Sequence, residues 1–185
     1  AVRAAVDRLL ELLIRHSLAR KKVVLTSGRE SDFFIDVKQT ALLAEGHALL
    51  ADALLAGIAK LPPPVHCVAG VELGGCPLAS AVALRSFDRG APLDAIYVRK
   101  EQKAHGSRRM LEGGSQLPSG ARVAVLEDVI TTGGSTLRAV EQLRGHGFEV
   151  AGVVAVVDRR EGGAEAIRAA GLPLVALYGR EDFLG

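Results

Sequence analysis

The residues most suited to chemistry in this 185-residue chain lie close together in VAVLEDVITTGGSTLRAV, residues 123–140. Its apolar start predicts a buried strand that ends at two acids, Glu127 and Asp128. The segment TTGGS, residues 131–135, follows, where glycines let backbone N–H groups turn inward and hydroxyl groups add donors. The helix predicted next presents a positive N-terminus to the same place. These residue types in this order indicate a cradle for a phosphate group.

The acidic pair is the feature that a phosphate cradle alone does not explain. Carboxylates repel phosphate, so Glu127 and Asp128 need another partner, and vicinal ribose hydroxyls can donate to both of them. The stretch contains neither GxxxxGK[ST] nor GxGxxG. We therefore interpret it as a site for a phosphorylated sugar. The alternative is an ordinary strand–turn–helix junction, in which the acids are solvated and Ser135 caps the helix.

Two further segments carry possible ligand contacts. The basic segment RKEQKAHG, residues 99–106, precedes a stretch rich in Gly, Ser and Pro that runs to residue 120. It predicts either a solvated charged loop or a lid that closes over a polyanion. The glycine loop GVELGG, residues 70–75, offers N–H groups to a diphosphate or forms a simple tight turn.

The elements that must position these residues alternate along the chain. Apolar strand patterns and helical patterns follow one another from residue 45 onward, which favours an α/β fold, a parallel sheet flanked by helices. Strands are predicted at 65–70, 94–98, the start of the opening stretch, 150–158 and 173–178, and helices at 45–60, 77–87, up to about 145, and 164–170. Ligands of such sheets bind at the carboxyl ends of the strands. We expect one domain over 1–185, with residues 1–40 forming a small N-terminal hood.

Composition excludes several classes of protein. Hydrophobic residues make up 49% and charged residues 24%, which is typical of a globular chain. The net charge of +2 gives no reason to expect a nucleic-acid partner, and no apolar run is long enough to predict a membrane span. Residues 1–20 predict an amphipathic helix rather than a signal peptide. Cys67 and Cys76 have apolar neighbours and no metal-ligand spacing, so we expect buried thiols in a reducing cytoplasm.

Four segments together resemble one enzyme family. Residues 127–135 are similar to the signature by which type I phosphoribosyltransferases bind 5-phosphoribosyl 1-diphosphate (PRPP). RKEQKAHG at 99–106, SGRESDFFID at 27–36 and VVDRREGG at 156–163 resemble segments of the orotate phosphoribosyltransferases, in the family's order. Adenine and hypoxanthine enzymes would share the 127–135 loop but not the 99–106 or 27–36 segments. The resemblance implies the type I phosphoribosyltransferase fold, which is Rossmann-like.

The resemblance also implies a reaction. The 5-phosphoribosyl group would pass from PRPP to orotate, giving orotidine 5′-monophosphate and diphosphate on the route to UMP. Mg²⁺ would be carried by PRPP and water, with no direct protein ligand. A cytoplasmic homodimer is implied, with the 99–106 loop reaching the neighbouring site. The alternatives are a phosphoribosyltransferase for another base and a non-catalytic PRPP-sensing regulator, which would predict a degraded lid and an added DNA-binding segment.

Residue roles follow from the same resemblance. Lys103 and Asp128 are the expected catalytic residues, with Lys103 neutralising the leaving oxygen. The expected PRPP-binding residues are Arg99, Lys100, Lys103, His105, Glu127, Asp128, Val129, Ile130, Thr131, Thr132, Gly133, Gly134 and Ser135. The expected orotate-binding residues are Phe33, Phe34, Thr131 and Arg159. Arg160 replaces Arg159 if the register is shifted, and a core role is the alternative for the two phenylalanines.

The chain departs from the family pattern at three positions. Many relatives have lysines where Thr26 and Leu73 stand here, so two cationic contributions are missing. Lys38 either substitutes in the base site or faces solvent. Glu127 stands where the family often has aspartate, and its extra methylene should still allow it to bind a hydroxyl.

Overall fold

The computed structural model describes residues 8–19, 23–24, 30–31, 33–100 and 110–184, with the backbone alone at 23–24 and 30–31. Three of the residues discussed above, Thr26, Lys103 and His105, lie outside these ranges. Within them, no helix combines the length and the apolar character that a membrane crossing requires.

The N-terminal region is built from short elements. Helix α1 covers residues 8–17 and changes from α-helical to π-helical geometry at Leu13–Ser17. Strand β1 (Leu18–Ala19) pairs antiparallel with β4 (Phe34–Ile35), and β2 (Val23–Val24) pairs antiparallel with β3 (Glu30–Ser31). The sequence predicts longer strands at 23–25 and 33–37, but Val37 already opens helix α2 (Lys38–Ala41). The prediction that this region departs from the β–α alternation is confirmed.

A six-stranded sheet forms the centre of the described molecule. Its strands stand in the order β10-β9-β8-β5-β6-β7, parallel except for β7, which pairs antiparallel with β6. The strands are β5 (Cys67–Val71), β6 (Asp94–Val98), β7 (Leu111–Glu112), β8 (Arg122–Ile130), β9 (Glu149–Asp158) and β10 (Leu174–Gly179). The predicted α/β class is thereby confirmed.

Helices cover both faces of this sheet, so its strands are apolar on both sides. Val68 of β5 packs with α3 and α4, whereas its neighbours Cys67 and Ala69 pack with α5 and α6. Full burial of one such valine or leucine stabilises the fold by about 1.5–3 kcal/mol. The helices are α3 (Ala44–Ile58), α4 (Gly75–Asp88), α5 (Gly134–Gly145), α6 (Gly163–Ala169) and α7 (Glu181–Leu184).

Strand register brings the candidate loops to one edge of the sheet. Ile130 of β8 pairs with Asp158 of β9, which in turn pairs with Gly179 of β10. On the other side of β8, Leu126 pairs with Gly70 near the end of β5. The loops that follow β5, β6, β8 and β9 therefore lie side by side, as expected for the ligand-binding edge of a parallel sheet.

Candidate active site

The loop after β8 is shorter than the sequence suggests. Glu127 and Asp128 lie within β8, because the ladder with β9 continues through Val129 and Ile130. The turn itself spans residues 131–133, and α5 begins at Gly134. Gly133 has φ +80°, a left-handed conformation that favours glycine. The N–H groups at the start of α5 lie beside this turn, which is the geometry of an anion cradle.

The loop after β9 is hydrogen-bonded to the turn after β8. Gly163 N–H donates to Thr131 O over 2.9 Å, and a Cβ added at Gly133 would lie 3.0 Å from Gly163 O. Arg159 N–H donates to Ile130 O over 3.0 Å. These contacts fix the position of Arg159 relative to residues 131–135.

Glu127 is buried, and its environment changes its acidity. Thr136, one residue past the predicted cradle, donates its hydroxyl to Glu127 Oε2 over 2.8 Å. Burial, and secondarily the neighbouring charge of Asp128, raises the pKa of Glu127 from 4.5 to about 8. Glu127 therefore holds its proton to a higher pH than an exposed glutamate does.

Asp128 is partly exposed and meets the loop after β5. A Cβ added at Gly74 would overlap the Asp128 carboxylate, so only glycine allows this approach. The turn that contains Gly74 includes a cis peptide between Glu72 and Leu73, and Leu73 is 63% exposed. The glycine loop after β5 thus contacts Asp128 of β8.

The two ends of the predicted lid are held together. Arg99 N–H donates to Met110 O over 2.8 Å, and the Arg99 guanidinium contacts Glu112 Oε1 through Nε at 3.0 Å and Nη2 at 2.9 Å. Lys100 N–H donates to Glu72 Oε2 over 3.1 Å, linking the lid base to the Gly74 loop. Lys103 and His105 lie between these ends, in a segment that the structure does not describe.

Arg159 and Phe33, expected near the base, are in contact. Arg159 is buried, and its Nη2 donates to Phe33 O over 2.8 Å and pairs with Glu161 over 2.8 Å. Its guanidinium carbon lies 5.9 Å from the centre of the Phe33 ring, within cation–π range. Phe33 is fully buried and Phe34 is 36% exposed, so Phe33 also has the core role considered as its alternative.

Other candidate residues have partners elsewhere. Arg160 is paired with Asp158 over 2.8 Å and with Glu181, and Lys38 Nζ lies 2.7 Å from Asp36. Ile130 packs in the core, so its backbone alone is available to a ligand.

The structure offers no preformed metal site in the residues it describes, where no three His, Cys, Asp or Glu side chains are grouped around a common point. Burial raises the pKa of Cys67 to about 12 and that of Cys76 to about 11, which fits inert thiols.

The sequence patterns do not predict the roles of two residues at the site. Thr136 is an ordinary helix residue by sequence, and nothing in its neighbours marks it as the partner of Glu127. Gly74 lies in the second glycine loop, but its role toward Asp128 depends on β5 and β8, which are distant in the sequence and become neighbours only in the sheet.

Comparison with known proteins identifies the class to which this fold and site belong. A model of the phosphoribosyl transferase domain family matches residues 38–169, a range that contains the cradle, the acidic pair and the lid. The chain therefore belongs to the phosphoribosyl transferase domain family.

Individual relatives narrow the class. The chain is 64% identical to an orotate phosphoribosyltransferase of Sorangium cellulosum over 96% of this chain and 92% of the relative. It is 46% identical to one from a Bradyrhizobium species, with 96% of each chain covered. A crystal structure of Mycobacterium tuberculosis orotate phosphoribosyltransferase in complex with PRPP is similar at a TM-score of 0.80 and 35% identity, covering 98% of this chain and 99% of that one. The chain belongs to the orotate phosphoribosyltransferase family.

Proposed function

We propose that this chain transfers the 5-phosphoribosyl group from PRPP to orotate, releasing diphosphate and forming orotidine 5′-monophosphate for pyrimidine nucleotide synthesis. The observation that carries the proposal is the pair of backbone bonds Arg159 N–Ile130 O and Gly163 N–Thr131 O. They hold the backbone of Arg159, whose side chain is buried, beside the loop that would hold a ribose phosphate. The names of the close relatives and the PRPP complex of the mycobacterial relative support the same reading.

PRPP would lie along the carboxyl edge of the sheet. Its 5′-phosphate would accept from the N–H groups and hydroxyls of residues 131–135 at the start of α5. The ribose hydroxyls would bind Asp128 and Glu127. The diphosphate would reach the Gly74 loop and the lid base, where Arg99 and Lys100 are anchored within 3.1 Å of their partners.

Breaking the anomeric C–O bond leaves positive charge on the ribose and negative charge on the diphosphate. Catalysis therefore needs cations at the leaving group and exclusion of water. Lys103, with Arg99, Lys100 and His105, would supply those cations when the lid covers the site. Asp128, the accessible carboxylate of the pair, would stand beside the ribose and stabilise the developing cation.

Orotate would be held by Arg159. Orotate is a planar carboxylate, which a guanidinium fork recognises well. Arg159 is fixed by Phe33 O and Glu161, and the exposed Phe34 and Thr131 would complete the pocket. Oriented in this way, a ring nitrogen of orotate attacks the anomeric carbon.

Mg²⁺ fits this site as an ion carried by the substrate. Mg²⁺ retains much of its water and prefers oxygen ligands. Glu127 is buried and bonded to Thr136, and its pKa is raised by burial, which leaves Asp128 as the accessible carboxylate of the pair. Bound Mg²⁺ would help to neutralise the diphosphate, and the chain would hold the ion chiefly through PRPP and water.

The assembly and setting are part of the proposal. We expect one catalytic domain per chain, a cytoplasmic location and a homodimer in which residues 99–106 reach the partner's site. Arg99 N–H donates to Met110 O, so the described residues on either side of positions 101–109 lie next to each other.

Product analysis separates this proposal from its rivals. Incubation with PRPP, Mg²⁺ and orotate should yield orotidine 5′-monophosphate and diphosphate in equal amounts. A regulator would bind PRPP without product. An enzyme for another base would leave orotate unchanged and consume adenine, hypoxanthine or xanthine, and that result would overturn the proposal.

A further inference from the structure

The C-terminal turn, residues 178–184, packs against the residues expected to hold the base. The ring centres of Phe183 and Phe33 are 5.7 Å apart with an angle of 57° between their planes. The ring centres of Tyr178 and Phe183 are 6.2 Å apart with an angle of 74° between their planes. Tilted and edge-on aromatic pairs at these distances attract each other beyond their burial. Both Phe183 and Phe33 are buried, so the position of one ring constrains the other.

Phe33 transmits this constraint to Arg159 in two ways. Its carbonyl accepts from Arg159 Nη2 at 2.8 Å, and its ring lies 5.9 Å from the guanidinium carbon. Arg180 of the same turn lies over the Phe33 ring at 5.5 Å. A shift of Phe33 would therefore remove an acceptor and an aromatic face from the guanidinium at once.

The turn also holds the loop that carries Arg159. Arg160 has φ +59°, a conformation uncommon for residues other than glycine. Its guanidinium bonds to Asp158 at 2.8 Å and to Glu181 at 3.2 Å through Nε. Arg180 N–H donates to Asp158 O over 3.0 Å. The residues on both sides of Arg159 are thus tied to the C-terminal turn.

We propose that Phe183 is a positioning residue for the base site, acting through Phe33 on the Arg159 guanidinium. The inference rests on the proposed function, because it assumes that Arg159 binds the orotate ring. Phe183 itself touches no substrate. Loss of the Phe183 ring weakens binding of the base and leaves binding of the ribose phosphate unchanged, since the backbone bonds that hold the cradle, Arg159 N–Ile130 O and Gly163 N–Thr131 O, do not involve the Phe183 side chain.

Two ligands distinguish these effects without relying on turnover. Orotidine 5′-monophosphate contains base, ribose and phosphate, whereas ribose 5-phosphate lacks the base. For Phe183→Ala we expect calorimetric affinity for the nucleotide to fall about tenfold and affinity for ribose 5-phosphate to stay within twofold. KM for orotate should rise with KM for PRPP unchanged. Phe183→Leu keeps an apolar side chain, so its affinity for the nucleotide should fall only about two- to threefold, again with the affinity for ribose 5-phosphate unchanged.

Leu143→Ala is the matched control, because Leu143 is fully buried in the core on the other face of the sheet. This variant should have a lower unfolding midpoint, but its affinities for orotidine 5′-monophosphate and for ribose 5-phosphate should change by the same factor. Equal losses for both ligands in the Phe183 variants, or no loss for either, would overturn the inference. A wild-type chain that binds ribose 5-phosphate but neither binds the nucleotide nor turns over orotate would overturn the proposed function instead, and this inference with it.

Discussion

The Thr136 hydroxyl donates to Glu127 Oε2 over 2.8 Å, and both side chains are buried at the end of β8. Burial and the adjacent Asp128 raise the pKa of Glu127, so Glu127 holds its proton to a higher pH than an exposed glutamate does. The pair then repels a neighbouring phosphate less than two carboxylates would. This arrangement explains how acids and an anion cradle can share one strand end.

The raised pKa of Glu127 predicts how stability depends on pH. Below about 4.5 the carboxyl is protonated in the folded and unfolded chains alike, and above that pH only the folded chain keeps the proton. Its contribution to stability therefore falls as pH rises from about 4.5 to about 8. Glu127→Gln removes this dependence. Between pH 5 and pH 8 the free energy of unfolding of the variant should therefore rise, relative to that of the wild type, by about 1 kcal/mol or more.

Denaturant unfolding at several pH values measures this difference. Glu149→Gln, at an exposed glutamate of β9, is the control and should follow the wild-type curve. If the free energies of unfolding of Glu127→Gln and the wild type changed with pH in parallel, Glu127 would ionise in the ordinary range for a glutamate.

Gly74→Ala tests the contact between the loop after β5 and Asp128 of β8. The backbone of Gly74 has φ −65°, which alanine adopts freely, so the expected damage is purely steric displacement of Asp128. We expect kcat/KM for PRPP to fall at least tenfold, which corresponds to about 1.4 kcal/mol.

Gly145→Ala is the matched substitution, because a Cβ there meets nothing within 4 Å. It should leave kcat/KM for PRPP unchanged. Wild-type kinetics for Gly74→Ala would mean that Asp128 does not need its observed position.

Lys103→Ala tests the proposed role of the lid. Because the contact would form mainly as charge develops on the leaving diphosphate, kcat should fall by about 10²–10³. The affinity for orotidine 5′-monophosphate should change far less. Single-turnover rates and product titrations measure the two effects separately, and an unchanged kcat would remove Lys103 from the mechanism.

A mixture of two inactive variants tests whether the lid crosses between subunits. In a heterodimer of Lys103→Ala and Asp128→Asn chains, a crossing lid gives one site with both lesions and one site with neither. Some activity should return on mixing, in proportion to the heterodimers formed. Verified heterodimers that stay inactive would show that each lid serves its own site.

The sequence predicts the fold well where patterns are local. The strand at 94–98 and the helix ending near 145 agree with the structure because apolar runs and turn residues mark their ends. The sequence does not predict β7 within the 99–120 segment, because its two residues form a strand only by pairing with β6. Helix α7 was likewise missed, since four residues carry too little pattern to predict a helix.

Part of the site could also be read from the sequence, and part could not. The cradle and the acidic pair are contiguous, so residue types alone indicate them. The contacts of Gly74 with Asp128 and of Phe183 with Phe33 join distant segments, and only tertiary packing brings them together. The predicted roles of Lys103 and His105 stay predictions, because residues 101–109 are not described.

The measurement that tests the central claim most directly is the ratio of kcat/KM among bases at fixed PRPP and Mg²⁺. Orotate, uracil, adenine, hypoxanthine and xanthine should be assayed in parallel. The Arg159 guanidinium suits a carboxylate that the other bases lack. The kcat/KM for orotate should therefore exceed that for each of the other bases by a factor of at least about 10³. Comparable or greater kcat/KM for any other base would contradict the account.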